Sequence, residues 1–226
     1  MELNLLEKFV LLAPNPRKNG LLISDIQLKN GLIGAILMDL SMNGVLMVVR
    51  DRLFIHDTNK IHHLLASEVA SDITKDPKEH TLDYWIRHLA GKADKYKWLV
   101  MDQLAEKELI KIEEKKFLGV FTYRTTRLLN ASARTELVKS AKRQLFNPDK
   151  NVINEDTIMT GLIAASNLHV ALAKNERESP NIQFRLKKEL QYSPIGGSVY
   201  KSIRRLRSAM RVSVVTAPST NVPVGN

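Results

Sequence analysis

Twice in this chain an apolar helical stretch stops at a short polar turn and gives way to two strands, and that recurrence limits the fold more than composition does. DLSMNGVLMVV, starting at Asp39, lines up with QLAEKELIKIE, starting at Gln103, so Leu40 matches Leu104 at an offset of 64 residues. In the first copy a helix over residues 32–42 meets the stop signal Asn43-Gly44. VLMVVRDRLFIHD then gives a strand, a tight Arg50-Asp51 turn and a return strand. The second copy runs into KIEEKKFLGVFTYRTTR, residues 111–127, where charge opens into an apolar run that ends at Arg124 and Arg127. Both units read as helix, turn, strand, charged turn, strand.

The remainder is helical in period. Leu3, Leu5, Leu6, Phe9, Val10 and Leu12 recur at helical spacing until Pro14 and Pro16 end the run. TLDYWIRHLAGKADKYKWLVMDQLAEK reads as two helices broken near Gly91, and further helices are expected over 131–146, 157–173, 181–190 and 199–212. VTAPSTNVPVGN has too little apolar content to pack and is expected to be a disordered tail, 215–226. The fold class is therefore mostly α, a single helical domain over 1–214 with two small β-hairpins. At 226 residues and 44% hydrophobic content the chain can bury a core without covalent staples.

Charge narrows the partners. The net charge is +10, and eight basic residues between Arg185 and Arg211 face Glu189 alone, so anionic surfaces are the natural counterpart. Along the 199–212 helix Val199, Ile203, Leu206 and Met210 form one apolar stripe, read as a terminal helix docked on the core with a solvated basic face. Cysteine is absent, which excludes disulfides and thiolate metal sites and is compatible with a reducing, cytoplasmic setting. MELNLLEKFVLLAPNP lacks a basic leader region and a small-residue cleavage site, and GLIGAILM is far too short to cross a bilayer. A soluble or membrane-surface protein is expected.

Nothing in the motifs points to an enzyme, a cofactor or a metal. The Walker loop, G-x-G-x-x-G, H-E-x-x-H and G-x-S-x-G are all absent from the sequence. His56, Asp57, His62 and His63 could be drawn as a metal cluster, but HDTNKIHH reads more simply as a solvated helix start. Asp25 and Asp39 have no spacing that makes them an acid and base pair. The run Phe117, Leu118, Val120, Phe121 and Tyr123 does not alternate, so either protein covers both of its faces or one face meets lipid or a partner. Helix, turn, helix and wing also describe a tandem winged-helix protein that binds DNA, yet IGAILMDLSM is too apolar for a recognition helix.

LNLLEKFVLLA, GLIGAILMDLSMNGVL, DYWIRHLAGK, LAEKELIKIEEKKFLGVF and NPDK…TGLIAASNL follow one another in an order that resembles the Golgi phosphoprotein 3 family, over roughly residues 3–172. The resemblance implies a mostly helical, non-enzymatic, peripheral membrane fold. It also implies a basic pocket for an anionic headgroup, phosphatidylinositol 4-phosphate in eukaryotic members, beside a hydrophobic hairpin that enters the bilayer. The hairpin falls on 113–126, which makes Phe117, Leu118, Val120, Phe121 and Tyr123 the inserting residues. The family's pocket tryptophan falls at Ser24 and its arginines at Ile33, Asp94 and Lys97, of which only Lys97 keeps its charge. Lys95, Lys92, Lys29 and Arg124 lie near enough to join Lys97 in a looser anionic-lipid site. The resemblance further allows an adaptor for the cytosolic tails of membrane enzymes. Because the chain begins directly at the first helix, the coat-binding extension of eukaryotic members is not expected.

Overall fold

A computed structural model of the chain describes residues 2–117, 121–147 and 154–192. The expected tail at 215–226 and the helix at 199–212 lie outside these residues. Among them the protein is mostly helical, with eight α-helices and two two-stranded antiparallel sheets.

One helix organises the rest. α2 (Asp25–Met42) is enclosed on almost every side: between positions 28 and 40 only Lys29 and Asp39 are partly exposed. A helix apolar all round belongs inside a protein, and α1 (Leu5–Leu11), α3 (Leu64–Lys75), α4 (Leu82–Ala90), α5 (Ala93–Glu106) and α7 (Glu155–Ala165) pack around it. Enclosure also leaves α2, the helix before the first hairpin, no free face to lay in a groove. Gly31 permits the closest approach: a Cβ there would stand 2.3 Å from the Phe9 ring and 2.9 Å from the Ser166 Cβ. α6 (Ala131–Phe146) packs on α7, and α8 (Ser179–Tyr192) closes that end.

Several element bounds differ from the sequence reading for local reasons. α2 starts at Asp25, because Ser24 and Gln27 form a capping box one full turn ahead of the apolar run. α3 follows directly on HDTNKIHH, the stretch read as a helix start; its cap is His63, whose Nδ1 accepts the Ala66 N–H while its Nε2 lies 2.9 Å from Asp39 Oδ2. The helix expected over 157–173 ends at Ala165, where Asn167 takes a left-handed conformation (φ 58) and the chain continues as a 3-10 turn, Leu168–Ala171.

The two hairpins are β1 (Leu46–Val49) with β2 (Arg52–Ile55), and β3 (Ile110–Phe117) with β4 (Phe121–Leu128). Arg50 and Asp51 both have positive φ, as a two-residue hairpin turn requires. Their attachment to the preceding helices matches bond for bond. Val45 N–H donates to Leu40 O at 2.9 Å and Leu109 N–H to Leu104 O at 3.0 Å, while Gly44 and Glu108 occupy the left-handed position between. The return strands are anchored alike, by His56 N–H on Val45 O and Leu129 N–H on Leu109 O. The recurrence seen in sequence is thus a repeated helix-to-hairpin joint.

Candidate functional site

At the base of the second hairpin several charges gather around one buried lysine. Lys97, on α5, has a side chain only 6% exposed, and its ammonium donates to Asp25 at 2.7 Å and Asp94 at 3.1 Å. Lys29, on α2, donates to the same two carboxylates at 2.6 and 2.8 Å. The four side chains close a ring of two lysines and two aspartates. Burial alone would raise the Asp25 carboxyl, but hydrogen bonds and charge from Lys29 and Lys97 outweigh it and hold it below the usual range. Asp94 is lowered chiefly by the hydrogen bond from Lys29, and Lys29 is raised because its two carboxylates outweigh its burial.

Beside the ring, Arg124 on β4 lies with its guanidinium carbon 4.2 Å from the centre of the Trp98 ring, and the Lys97 ammonium lies 4.5 Å from it. Arg124 also pairs with Asp102 one turn along α5, at 2.5 Å. Between these groups is a pocket of about 170 Å³, lined by Asp25, Lys97, Trp98, Arg124, Thr126 and the Gly20-Leu21 strap, among others. Gly20 N–H bonds Thr126 O at 2.9 Å, which ties the strap to the hairpin. The Thr126 hydroxyl is buried and has no partner among the described residues.

The lysines expected to converge do not all do so. Lys92 pairs with Asp72 at 2.6 Å and Lys95 with both Glu68 oxygens at 2.8 Å, both acids being on α3. Lys95 and Lys97 are separated by roughly 200° around α5, so Lys92 and Lys95 face one neighbour while Lys97, Lys29 and Arg124 meet at another. Sequence reading missed Asp25, Asp94, Asp102 and Trp98 as members of the site. For Asp25 and Asp94 a signal was present in the spacing Asp25/Lys29 at i,i+4 and Asp94/Lys97 at i,i+3.

The distal half of the hairpin stands away from the body. Positions 114–116 and 121–124 are exposed, with Phe121 at 66% and Tyr123 at 49%. The register sets Lys115 opposite Tyr123, Lys116 opposite Thr122 and Phe117 opposite Phe121. Near the base, Ile110 and Thr126 are buried. Leu118 and Val120, and the side chain of Phe117, fall outside the described residues. Among those described, no group of histidine, aspartate and glutamate is placed to hold a metal, and no helix is long and apolar enough to cross a membrane.

A family model described as Golgi phosphoprotein 3 (GPP34) matches residues 5–206. No curated protein matches the chain.

Proposed function

Since the chain belongs to the Golgi phosphoprotein 3 family, we propose that it is a non-enzymatic, peripheral membrane protein. It attaches reversibly to anionic phospholipid surfaces through the β3–β4 hairpin and meets a headgroup phosphate in the pocket beside it. The observation that carries this reading is the exposed aromatic end of the hairpin, Phe121 and Tyr123, which rises from a base where Lys97, Arg124 and a Thr126 hydroxyl without a partner among the described residues line one pocket. Two exposed aromatic side chains on one small hairpin are an apolar surface that water does not favour.

The energetics suit a weak, regulated contact. Burying Phe121 and Tyr123 in lipid contributes roughly 1.5 to 3 kcal/mol each in the favourable limit. Lys115 and Lys116 add about 1 kcal/mol each at an anionic surface, and the net charge of +10 draws the protein to such surfaces. Lys97 and Arg124 supply cations for a phosphate, with Lys29 behind them. Lys92, at the cap of α5, and Lys95, in its first turn, are held by acids of α3 and do not share the pocket. A phosphatidylinositol 4-phosphate-like headgroup is the family's expectation for such a pocket, and tails of membrane enzymes are further candidate partners once the protein is seated.

Flotation tests the reading: neutral vesicles, vesicles with an anionic phospholipid and vesicles with phosphatidylinositol 4-phosphate are compared for wild type and Phe121→Ser/Tyr123→Ser. Wild type is expected to rise with anionic vesicles and the double variant to stay below while keeping its helical circular dichroism. If both float equally, the hairpin is not the attachment.

A further inference from the structure

The five cations expected to meet a headgroup each have an acid already. Lys29, Lys92, Lys95, Lys97 and Arg124 pair with aspartate or glutamate, so an anion that meets them competes with a carboxylate in place. The solvent face of α8 differs. From Ser179 to Lys188 the helix carries Arg185, Lys187 and Lys188 and no acidic residue. All three are exposed, and none is paired with a carboxylate among the described residues. A phosphate can approach them without displacing any described carboxylate of the protein.

An aromatic ring stands in the middle of this charge. Ile182 and Leu186 are buried and seat α8 on the core. At about 100° per residue, Phe184 lies opposite both, with Lys187 about 60° to one side and Lys188 about 40° to the other. Phe184 is 65% exposed. Arg185 turns toward α6, where its guanidinium carbon lies 4.5 Å from the centre of the Phe146 ring. Phe146 is exposed, and so is Arg143 one turn before it. This surface is separate from the second hairpin. α6 begins at the hairpin base, where the Leu129 and Asn130 N–H groups donate to Leu109 O, and its 16 residues set Phe146 about 24 Å further along the helix.

Resting on the membrane reading above, we propose that the outer face of α8 is a second attachment point for an anionic bilayer, with Phe184 at the boundary between headgroups and acyl chains and Lys187, Lys188 and Arg185 among the phosphates. A convex helix face with one ring between two lysines suits a flat, fluid surface, which needs no complementary cleft. The ring enters between the headgroups while the long lysine stems carry their ammoniums to the phosphates on either side. Because Ile182 and Leu186 are occupied by the core, α8 rests on the surface without sinking into it. The sequence continues the same charge: between Arg185 and Arg211 eight basic residues face Glu189 alone. A shallow, electrostatically led contact here adds to the hairpin's, since the first one made raises the effective concentration for the second.

The absence of cysteine lets one label report this face alone. Asn181→Cys, exposed one turn before Phe184, carries an environment-sensitive fluorophore in the full chain, and emission is followed with phosphatidylcholine vesicles with and without phosphatidylserine. The label is expected to emit as in water in the free protein, to shift to the blue only with phosphatidylserine, and to lose that shift as salt rises. Lys187→Gln/Lys188→Gln should weaken partitioning roughly tenfold or more, the worth of two cations at an anionic surface. Phe184→Ser should weaken it while leaving the salt dependence in place. All three substitutions fall on exposed side chains, and helical circular dichroism checks that the fold is kept.

A label that already emits in the blue in the free protein means that another part of the chain covers the face. One that shifts with polyglutamate and with neither vesicle means that the face fits an acidic protein. Either result overturns the proposal. So does a label that stays in water while the protein floats through its hairpin, an outcome that leaves the membrane reading standing. A blue shift at position 181 in a protein that Phe121→Ser/Tyr123→Ser leaves floating as before would do the reverse.

Discussion

At Gly31 a single hydrogen atom decides how closely α1 and α2 approach. A Cβ at that position would meet the Phe9 ring at 2.3 Å and the Ser166 Cβ at 2.9 Å, with the enclosed α2 backbone unable to retreat. Gly31→Ala is therefore expected to destabilise the protein by about 3 kcal/mol, the upper end for overpacking, as read by denaturant unfolding. At the charged ring the sign runs with pH. Asp25 and Asp94 titrate below the usual carboxylate range, so the stability they contribute is present above about pH 4, the unfolded value. It is lost as pH falls through their lower folded values. Asp94 is 62% exposed, which limits its share to less than about 1 kcal/mol. Asp94→Asn should melt slightly below wild type at pH 7, and the gap should narrow as pH falls below about 4, the unfolded value. Of the five cations the sequence pointed to, Lys97, Lys95, Lys92, Lys29 and Arg124, the structure brings Lys97, Lys29 and Arg124 together and turns Lys92 and Lys95 to Asp72 and Glu68. The sequence did not show that Lys97 and Lys29 share two carboxylates and Arg124 takes a third, because Asp25 and Lys97 are 72 residues apart and only the folded chain makes them neighbours.

At the scale of elements, the repeated joint between helix and hairpin was legible from two short alignable segments, and its bond pattern explains why. A chain that must leave a helix and enter a strand within a few residues needs a left-handed residue there, and the two copies fill that position with Gly44 and Glu108. Glycine adopts it without strain, whereas glutamate does not. Glu108→Gly is expected to stabilise the protein by about 0.5 to 1 kcal/mol, measurable as a rise in unfolding midpoint, and Gly44→Glu should lower it by a similar amount. What sequence period could not resolve was where helices start. α2 begins in a capping box ahead of its apolar residues, and α3 begins at a histidine, a cap that propensity tables place low. In the opposite sense, the unbroken apolar run of the second hairpin left two environments open. Exposure at Phe121 and Tyr123 favours the outward one for the part of the hairpin that is described.

For the molecule as a whole, charge and shape act at different ranges. On the proposed function, the excess of ten positive charges would draw the protein to an anionic bilayer over about a Debye length, 8 Å at physiological salt, and the hairpin would act only on contact. Vesicle affinity should therefore fall when salt is raised from about 0.1 to 0.5 M, where that length shortens. The Phe121→Ser/Tyr123→Ser variant should retain the salt dependence while losing affinity at every concentration. The central claim is that the hairpin end enters lipid, and the absence of cysteine permits one unambiguous label. Thr122→Cys, beside both aromatics, and Glu136→Cys on α6 each carry an environment-sensitive fluorophore, and emission is recorded with anionic vesicles containing lipid-bound quenchers. The account predicts a blue shift and quenching at position 122 and neither at position 136. A protein that floats with the vesicles while the label at 122 still emits as in water would contradict it.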